Sequence, residues 1–336
     1  MKGKANSKQN NAVNLIKFLA AMLVILAHAH SLSDGSKDLL ARFIKGTGFG
    51  SLAVAIFFAF SGYFIMKSIQ SKGDKGFLIK RVKRIFPELI IVVLLTIFVV
   101  GPIFTNLSLK NYFLNPITYL YSLNALLIPY HNLPGVFTAN TYKNVVNGAL
   151  WTLPVEFVCY IMIYVLYKMK LVQKRNRLII VFALGLGVYL SLYLLNIKFI
   201  IDIVRPVLVF LFSAVLFFIE DIKKEDLLII GLISILFIVS RNIVLYHLFL
   251  IILLPLILFY IIKHINFRNR VVAILGRASY CIYLVGFVVQ QSIVATFGGH
   301  MNPYVNYGLA VVIATLLGIL INTIYEKKLK RIVDKI

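Results

Sequence analysis

Apolar residues occur in long runs along the chain, and short polar or basic clusters separate the runs. A helix that crosses a bilayer needs about 20 predominantly apolar residues. On this criterion the pattern predicts about ten transmembrane helices, of which the seventh is the shortest. They cover residues 12–31, 49–67, 87–105, 151–168, 178–196, 199–219, 227–240, 242–262, 271–296 and 307–325. The predicted fold is therefore all-α, that of a polytopic integral membrane protein.

Composition agrees with this prediction. Hydrophobic residues make up 60% of the 336 residues and charged residues only 14%, whereas about 25% is usual in soluble domains. A formal net charge of +23 is also found in nucleic-acid-binding proteins. Here the basic residues sit in short clusters between apolar runs, as in the cytoplasmic loops of multi-span proteins. The expected partner is therefore the lipid bilayer and not nucleic acid.

The distribution of Lys and Arg predicts the orientation. If the N-terminus is cytoplasmic, 25 of the 35 Lys and Arg residues lie in inner segments, 7 in outer segments and 3 within spans. Because cytoplasmic loops carry the excess of these residues, both termini are predicted to be cytoplasmic. The chain then divides into a basic tail (1–11), a transmembrane domain (12–326) and a second basic tail (327–336).

Residues 106–150 form a predicted outer segment that is too interrupted for a plain span. The segment is aromatic and apolar, but Pro116, Pro129 and Pro134 break it. Irregular backbone at membrane depth is tolerated where protein buries it or where it lines a cavity. The segment is therefore expected either to lie in the membrane interface or to be re-entrant.

The first apolar run contains a cation and an imidazole on one face. Lys17 and His28 are eleven residues apart, which is close to three full helical turns and about 16 Å along the axis. A groove along this face would suit a long ligand with an anionic end near Lys17 and a reacting end near His28. The alternative is that Lys17 extends to lipid phosphates while His28 lies at the interface.

A second pair of cations precedes the third run. Arg81 and Arg84 stand at i and i+3, on one face of a helical turn. Two guanidinium groups suit multidentate phosphate binding better than lysines do. The alternative is that both belong only to the basic cytoplasmic flank of a span.

Glu156 lies inside the fourth run, about five residues from its start. An unpaired carboxylate is costly in an apolar environment, so a partner is expected. If both groups lie in the outer half, His28 is a possible partner, and a carboxylate beside an imidazole makes a better general base. The alternative is a protonated carboxyl group in a structural hydrogen bond.

Asp202 and Arg205, three residues apart, are expected to pair with each other. No spacing of His, Cys, Asp or Glu predicts a metal site.

Five landmarks occur in order: Lys17-x10-His28, "AIFFAFSGYFIM", Arg81-x-x-Arg84 before "IFP", "ALWTLPVEF" and "LGRASYCIYLV". Together they resemble the membrane acyltransferase-3 family, which includes O-acetyltransferases of cell-surface polysaccharides, over residues 12–326. The chain departs from the family pattern at three positions. Lys17 stands where the family usually has Arg, Asn14 where Asp is common, and Gly286 where His is frequent. The soluble hydrolase-like domain that some members carry has no counterpart here.

The resemblance implies a membrane O-acyltransferase of the bacterial cytoplasmic membrane. Its donor would be acetyl-CoA or another acyl-CoA, and its acceptor a carbohydrate hydroxyl outside the cell. No permanently bound cofactor and no metal are expected. The alternative function is a polysaccharide exporter or flippase without covalent chemistry.

The resemblance also implies roles for individual residues. Lys17, Arg81 and Arg84 would bind acyl-CoA, and His28 and Glu156 would be catalytic. His28 would either deprotonate the acceptor hydroxyl or carry the acyl group itself. The residues expected to support the site are Ser61, Trp151 and Tyr280.

Overall fold

The computed structural model describes residues 11–326, which form α-helices and no β-strand. The predicted tails therefore lie outside the described residues, apart from Asn11. Ten long helices traverse the bundle: α1 (Asn11–Ser33), α2 (Phe49–Lys72), α3 (Phe77–Phe104), α4 (Ala149–Lys168), α5 (Arg175–Leu194), α6 (Lys198–Phe218), α7 (Lys224–Val239), α8 (Ile243–His264), α9 (Arg270–Thr296) and α10 (Pro303–Ile324). Nine of these are long and apolar enough to cross a membrane. The prediction of an all-α multi-pass membrane protein is confirmed.

Helix α7, which corresponds to the seventh predicted span, is the exception in length. It has 16 residues and is about 24 Å long, shorter than the roughly 30 Å hydrocarbon core. Just before it, Asp221 meets His264 at the end of α8 (2.7 Å), and this hydrogen bond holds the pKa of Asp221 below its ordinary value. Just after it, Arg241 lies over the ring of Phe43 (4.4 Å) at the opposite end of the bundle. Helix α7 therefore runs the length of the bundle.

Helices α1 and α9 pack in parallel. Asn14 contacts Gly276 early in both helices, and further along both the Gln290 side chain donates to the carbonyl of Ile25 (2.8 Å). Parallel packing of these two helices requires an even number of passes between the start of α1 and the start of α9. The bundle meets this requirement only if α7 counts as a pass.

Helix α10 returns antiparallel to α1 and α9. Near its start, Asn306 donates to Ser33 at the end of α1 (2.7 Å). Near its end, Asn322 donates to Glu88 in α3 (2.9 Å). The start of α1 and the end of α10 thus lie at the same end of the bundle, called here the terminal end. That this end faces the cytoplasm remains a prediction from the charge distribution.

Glycines allow the central helices to approach closely, as small residues do in membrane bundles. A Cβ at Gly62 would overlap the backbone of Phe210, and one at Gly276 would overlap the backbone of Asn14. At Gly286, where the family often has His, a Cβ would lie 3.1 Å from Cγ1 of Ile25. The contact between α1 and α9 therefore leaves little room for a larger side chain at position 286.

The segment between α3 and α4 enters the bundle beside α9. Gln291 donates to the carbonyl of Val145 (2.7 Å), and Asn147 donates to that of Leu284 (2.9 Å). Leu284 lies twelve residues, or about 18 Å, before the end of α9 at Thr296. Polar groups of the residues just before α4 are thus satisfied by α9, as burial at membrane depth would require. That this part of the segment is re-entrant remains a prediction.

Substitution of the packed glycines tests this helix packing. We expect Gly62→Ala and Gly276→Ala each to destabilise the protein by about 1–3 kcal/mol, because the new methyl group meets backbone atoms that cannot move away. Gly187→Ala and Gly231→Ala are matched controls in helices, since no atom lies within 4 Å of either Cβ position. Thermal unfolding of the purified protein in detergent measures the effect. Equal midpoints for all four variants would contradict the packing.

Cysteine labelling tests the topology. The native Cys159 and Cys281 are buried, whereas Lys223 and Ser240 flank α7 and are exposed. We expect Ser240→Cys to react with a membrane-impermeant maleimide in intact cells, and Lys223→Cys to react only after permeabilisation. Reaction of both variants from the same side would show that α7 does not cross the membrane.

Candidate active site

A cavity with about 950 Å³ of empty space, part of it open to solvent, lies between α1, α2, α3, α4 and α9. It is called here the basic cavity. It extends from Arg81 and Arg84, in the first two turns of α3, to Tyr283 near the middle of α9. Six of the eight site residues expected from the sequence line it: Lys17, Ser61, Arg81, Arg84, Glu156 and Tyr280.

Lys17 faces the interior of the bundle. Its Nζ atom lies 5.8 Å from the ring centre of Phe60 and 5.6 Å from that of Phe64, both on α2. Aromatic faces attract cations at such distances. The side chain therefore lines the basic cavity and does not extend along the lipid-facing surface.

The two arginines approach the same cavity from α3. Arg81 donates to the hydroxyl of Ser68 (3.3 Å). Arg84 lies over the ring of Tyr280 at 5.4 Å and reaches Glu88 at 3.5 Å. Because the Arg84 side chain is still 51% exposed, part of its guanidinium remains accessible to a ligand. The cavity thus combines three cations, which is an arrangement suited to a polyanion.

Glu156 is held by two hydroxyl groups. Its Oε1 atom accepts hydrogen bonds from Ser61 (2.9 Å) and from Tyr160, which stands one helical turn further along α4. The hydroxyls of Ser61 and Tyr160 are themselves 3.1 Å apart. This carboxylate therefore has a fixed orientation beside the three cations of the cavity.

The pairing of Glu156 with His28 is not found, since no hydrogen bond or ion pair joins them within residues 11–326. The residues preceding α4 enter the bundle beside α9, which carries Glu156 to the depth of Ser61 and the basic cavity. His28 lies about 16 Å beyond Lys17 along α1. The carboxylate of Glu156 is instead paired with the hydroxyls of Ser61 and Tyr160.

His28 does not line the basic cavity. Its ring is partly exposed and meets the ring of Phe287 edge to face at 5.0 Å. One turn before Phe287 on α9, Tyr283 lines the cavity and contacts the ring of Phe57 (5.8 Å). The hydroxyl of Tyr283 also binds Thr152 (2.5 Å). Along α9, Tyr283 therefore stands between Tyr280, which also lines the basic cavity, and Phe287, which contacts His28.

Two further predictions concern residues outside the cavity. Trp151 stands at the start of α4, is partly exposed and does not line the cavity. Asp202 and Arg205 form the expected ion pair at 3.3 Å. Arg205 also donates to Nε2 of His247 (2.7 Å), whose Nδ1 lies 2.5 Å from the hydroxyl of Tyr189. His247 therefore belongs to a buried network, although its sequence position indicated no role.

The sequence interpretation missed Glu88 and Tyr160. Glu88 is fully buried and contacts Arg84, and Tyr160 is buried and bonds Glu156. Each stands four residues after a residue that had been selected, on the same helical face. This i, i+4 spacing is the sequence feature from which both residues could have been found.

In the described part of the chain, no three His, Cys, Asp or Glu side chains are grouped as a metal site requires.

Comparison with known proteins agrees with the landmarks in the sequence. The chain is 36% identical over 155 residues to an O-acetyl transferase of Shigella phage Sf6, covering 46% of this chain and 44% of that protein. It is 27% identical over 186 residues to nodulation protein 10 of Rhizobium leguminosarum bv. viciae, covering 54% and 51%. Each match thus spans about half the length of the relative. No solved structure matches significantly.

The family model of the acyltransferase-3 family, described as an acyltransferase domain, matches residues 10–325. The match covers almost the whole chain and includes all the residues that line the basic cavity. The chain belongs to this family.

Proposed function

From membership of this family, we propose that the chain is a membrane O-acyltransferase. It moves an acetyl or other short acyl group from cytoplasmic acyl-CoA to a hydroxyl of a cell-envelope or exported polysaccharide. The observation that carries the proposal is the convergence of Lys17, Arg81 and Arg84 on one partly open cavity. Coenzyme A is a polyanion with a long, uncharged arm, and the cavity offers cations together with apolar and aromatic walls.

The donor binds with its phosphates against the cations. Arg84 presents an accessible guanidinium, and guanidinium groups bind phosphate oxygens in a bidentate manner. The pantetheine arm points along α1 towards Phe57 and Tyr283. Glu156, held by Ser61 and Tyr160, offers its second carboxylate oxygen to a hydrogen-bond donor of that arm.

His28 acts as the general base. Its imidazole removes the proton from the acceptor hydroxyl while the hydroxyl oxygen attacks the thioester carbonyl. The carbon–sulfur bond then breaks, and the leaving thiolate takes the proton from the imidazolium. For this step the thioester has to reach past Tyr283, which stands on α9 one turn before Phe287, the ring that contacts His28.

The predicted orientation places the two substrates on opposite sides of the bacterial cytoplasmic membrane. With the terminal end in the cytoplasm, the basic cavity receives acyl-CoA from the side where it is made. His28, further along α1, then meets an acceptor that arrives from outside. The re-entrant part of residues 106–150 forms the wall on the acceptor side.

Substitution of His28 tests its role as base. We expect His28→Gln to lower kcat for transfer from acetyl-CoA by about 10²–10⁴-fold, because general base catalysis contributes rate factors of this size. The affinity for acetyl-CoA should change little. The control is His30→Gln, two residues along the same helix, where the ring faces Tyr304 on α10. Full transfer activity in His28→Gln would refute the assignment.

Substitution of the arginines tests the donor site. We expect Arg81→Gln combined with Arg84→Gln to weaken acetyl-CoA binding about 100-fold, since each charged hydrogen bond is worth roughly tenfold or more. The matched control, Lys72→Gln with Lys75→Gln, changes two exposed cations near the same end of the bundle and should cost less than about threefold. Isothermal titration calorimetry measures both, with thermal unfolding as a check of folding. Equal losses would favour the view that the arginines only set topology.

Analysis of the glycan in a deletion strain separates transfer from export. Loss of an acetyl mass from a glycan that still reaches the surface is the expected result. Loss of the glycan from the surface would instead indicate an exporter or flippase.

A further inference from the structure

Glu88 is a carboxylate with no exposed surface, in the membrane-spanning helix α3. Burying a charge is costly unless it is paired and hydrogen-bonded. The two other charged residues that are buried in the described chain, Asp38 and Arg205, keep 6% and 7% exposure. Glu88 is therefore the most completely buried of the three, and its burial requires a physical reason.

Each carboxylate oxygen of Glu88 has its own donor. Oε2 faces Nη1 of Arg84 at 3.5 Å, and Oε1 accepts from Nδ2 of Asn322 at 2.9 Å. Asn322 is itself buried and lies on α10. The last helix of the bundle thus fixes the carboxylate, and the carboxylate meets the arginine.

Arg84 is restrained from a second direction by Tyr280. The guanidinium lies 5.4 Å from the centre of the Tyr280 ring, and the Tyr280 hydroxyl donates to the carbonyl of Ile85 (3.0 Å). One side of Arg84 therefore meets the buried carboxylate, another meets an aromatic ring, and the exposed part faces the basic cavity.

Helix stability does not account for the pair. An Arg followed by a Glu at i+4 is the weaker of the two orders, and such pairs contribute only about 0.2–0.5 kcal/mol. A carboxylate at the surface of α3 would provide the same contribution without the cost of burial. The interior position lets Asn322 of α10 and Cys281 of α9 contact the carboxylate, which in turn can hold the guanidinium in one place.

We propose that Glu88 is a positioning residue that fixes Arg84 for the phosphates of the acyl donor. This inference rests on the proposed function and deepens it. Glu88 does not touch the donor, because it lies behind Arg84 and does not line the cavity. Its effect on the donor passes through the guanidinium.

The effect should depend on the phosphates of the ligand. We expect Glu88→Gln to weaken acetyl-CoA binding about tenfold, because the neutral amide no longer orients the guanidinium. Binding of acetyl-pantetheine, which has the same arm and thioester but no phosphate, should stay unchanged. A merely structural role would weaken both ligands.

The experiment is isothermal titration of the purified full-length protein in nanodiscs with acetyl-CoA and with acetyl-pantetheine. Glu88→Gln, Arg84→Gln and the double variant form a mutant cycle. Once Arg84 is replaced, Glu88→Gln should cause no further loss. The control is Thr96→Val, which removes a buried hydroxyl of α3 that bonds the carbonyl of Val92 and the side chain of Tyr121. Neither residue lines the basic cavity, so both affinities should stay unchanged.

Additive losses in the cycle, equal losses for both ligands, or wild-type affinity in Glu88→Gln would each overturn the inference while leaving the donor site intact. Failure of the wild-type protein to bind acetyl-CoA would overturn the proposed donor and the inference together. If Glu88→Gln does not fold, Glu88→Asp replaces it, since it keeps the charge but withdraws the carboxylate by one methylene. A selective loss for acetyl-CoA of about threefold is then expected, and unchanged affinity would overturn the inference.

Discussion

A charge within a membrane-spanning helix has to be paired or hydrated, since hydrocarbon solvates it poorly. This constraint organises the centre of the bundle. Lys17, Arg81 and Arg84 meet in one partly open cavity, where aromatic rings, hydroxyls and carboxylates surround them. The same arrangement that makes their presence tolerable also suits the cavity to an anion.

Close helix packing keeps these groups in register. Gly62 and Gly276 bring α2 against α6 and α9 against α1, so the helices that carry Ser61, Lys17 and Tyr280 have little freedom to slide. Glu88 and Asn322 join α3 to α10 in the same layer. The cavity is thus a product of the whole bundle, which explains why its residues come from five separate helices.

Much of this arrangement could be predicted from the sequence. The apolar runs predicted where the helices lie, because the thickness and apolar nature of the hydrocarbon core determine the length and composition of each span. Even the short α7 could be predicted, since its residues form an apolar run that is recognisable without knowledge of the neighbouring helices. Lys17, Arg81, Arg84 and Glu156 stood out as ionisable groups inside or beside such runs, and the structure brings all four to one cavity.

The remaining features depend on depth and neighbours, which local hydrophobicity does not record. The path of the residues before α4 determines where Glu156 lies in the bundle, and contacts with Gln291 and Leu284 of α9, far along the chain, hold this path in place. In the sequence, Glu88 looks like a polar residue at the edge of an apolar run. Its burial becomes evident only from its contact with Asn322 of α10. His247 similarly acquires partners only when α5, α6 and α8 are assembled.

A structure of the protein with bound coenzyme A tests the central claim most directly. The account predicts that the diphosphate lies among Lys17, Arg81 and Arg84, with the pantetheine arm directed along α1 towards Tyr283. Coenzyme A bound elsewhere on the protein, with the basic cavity filled by lipid, would contradict it.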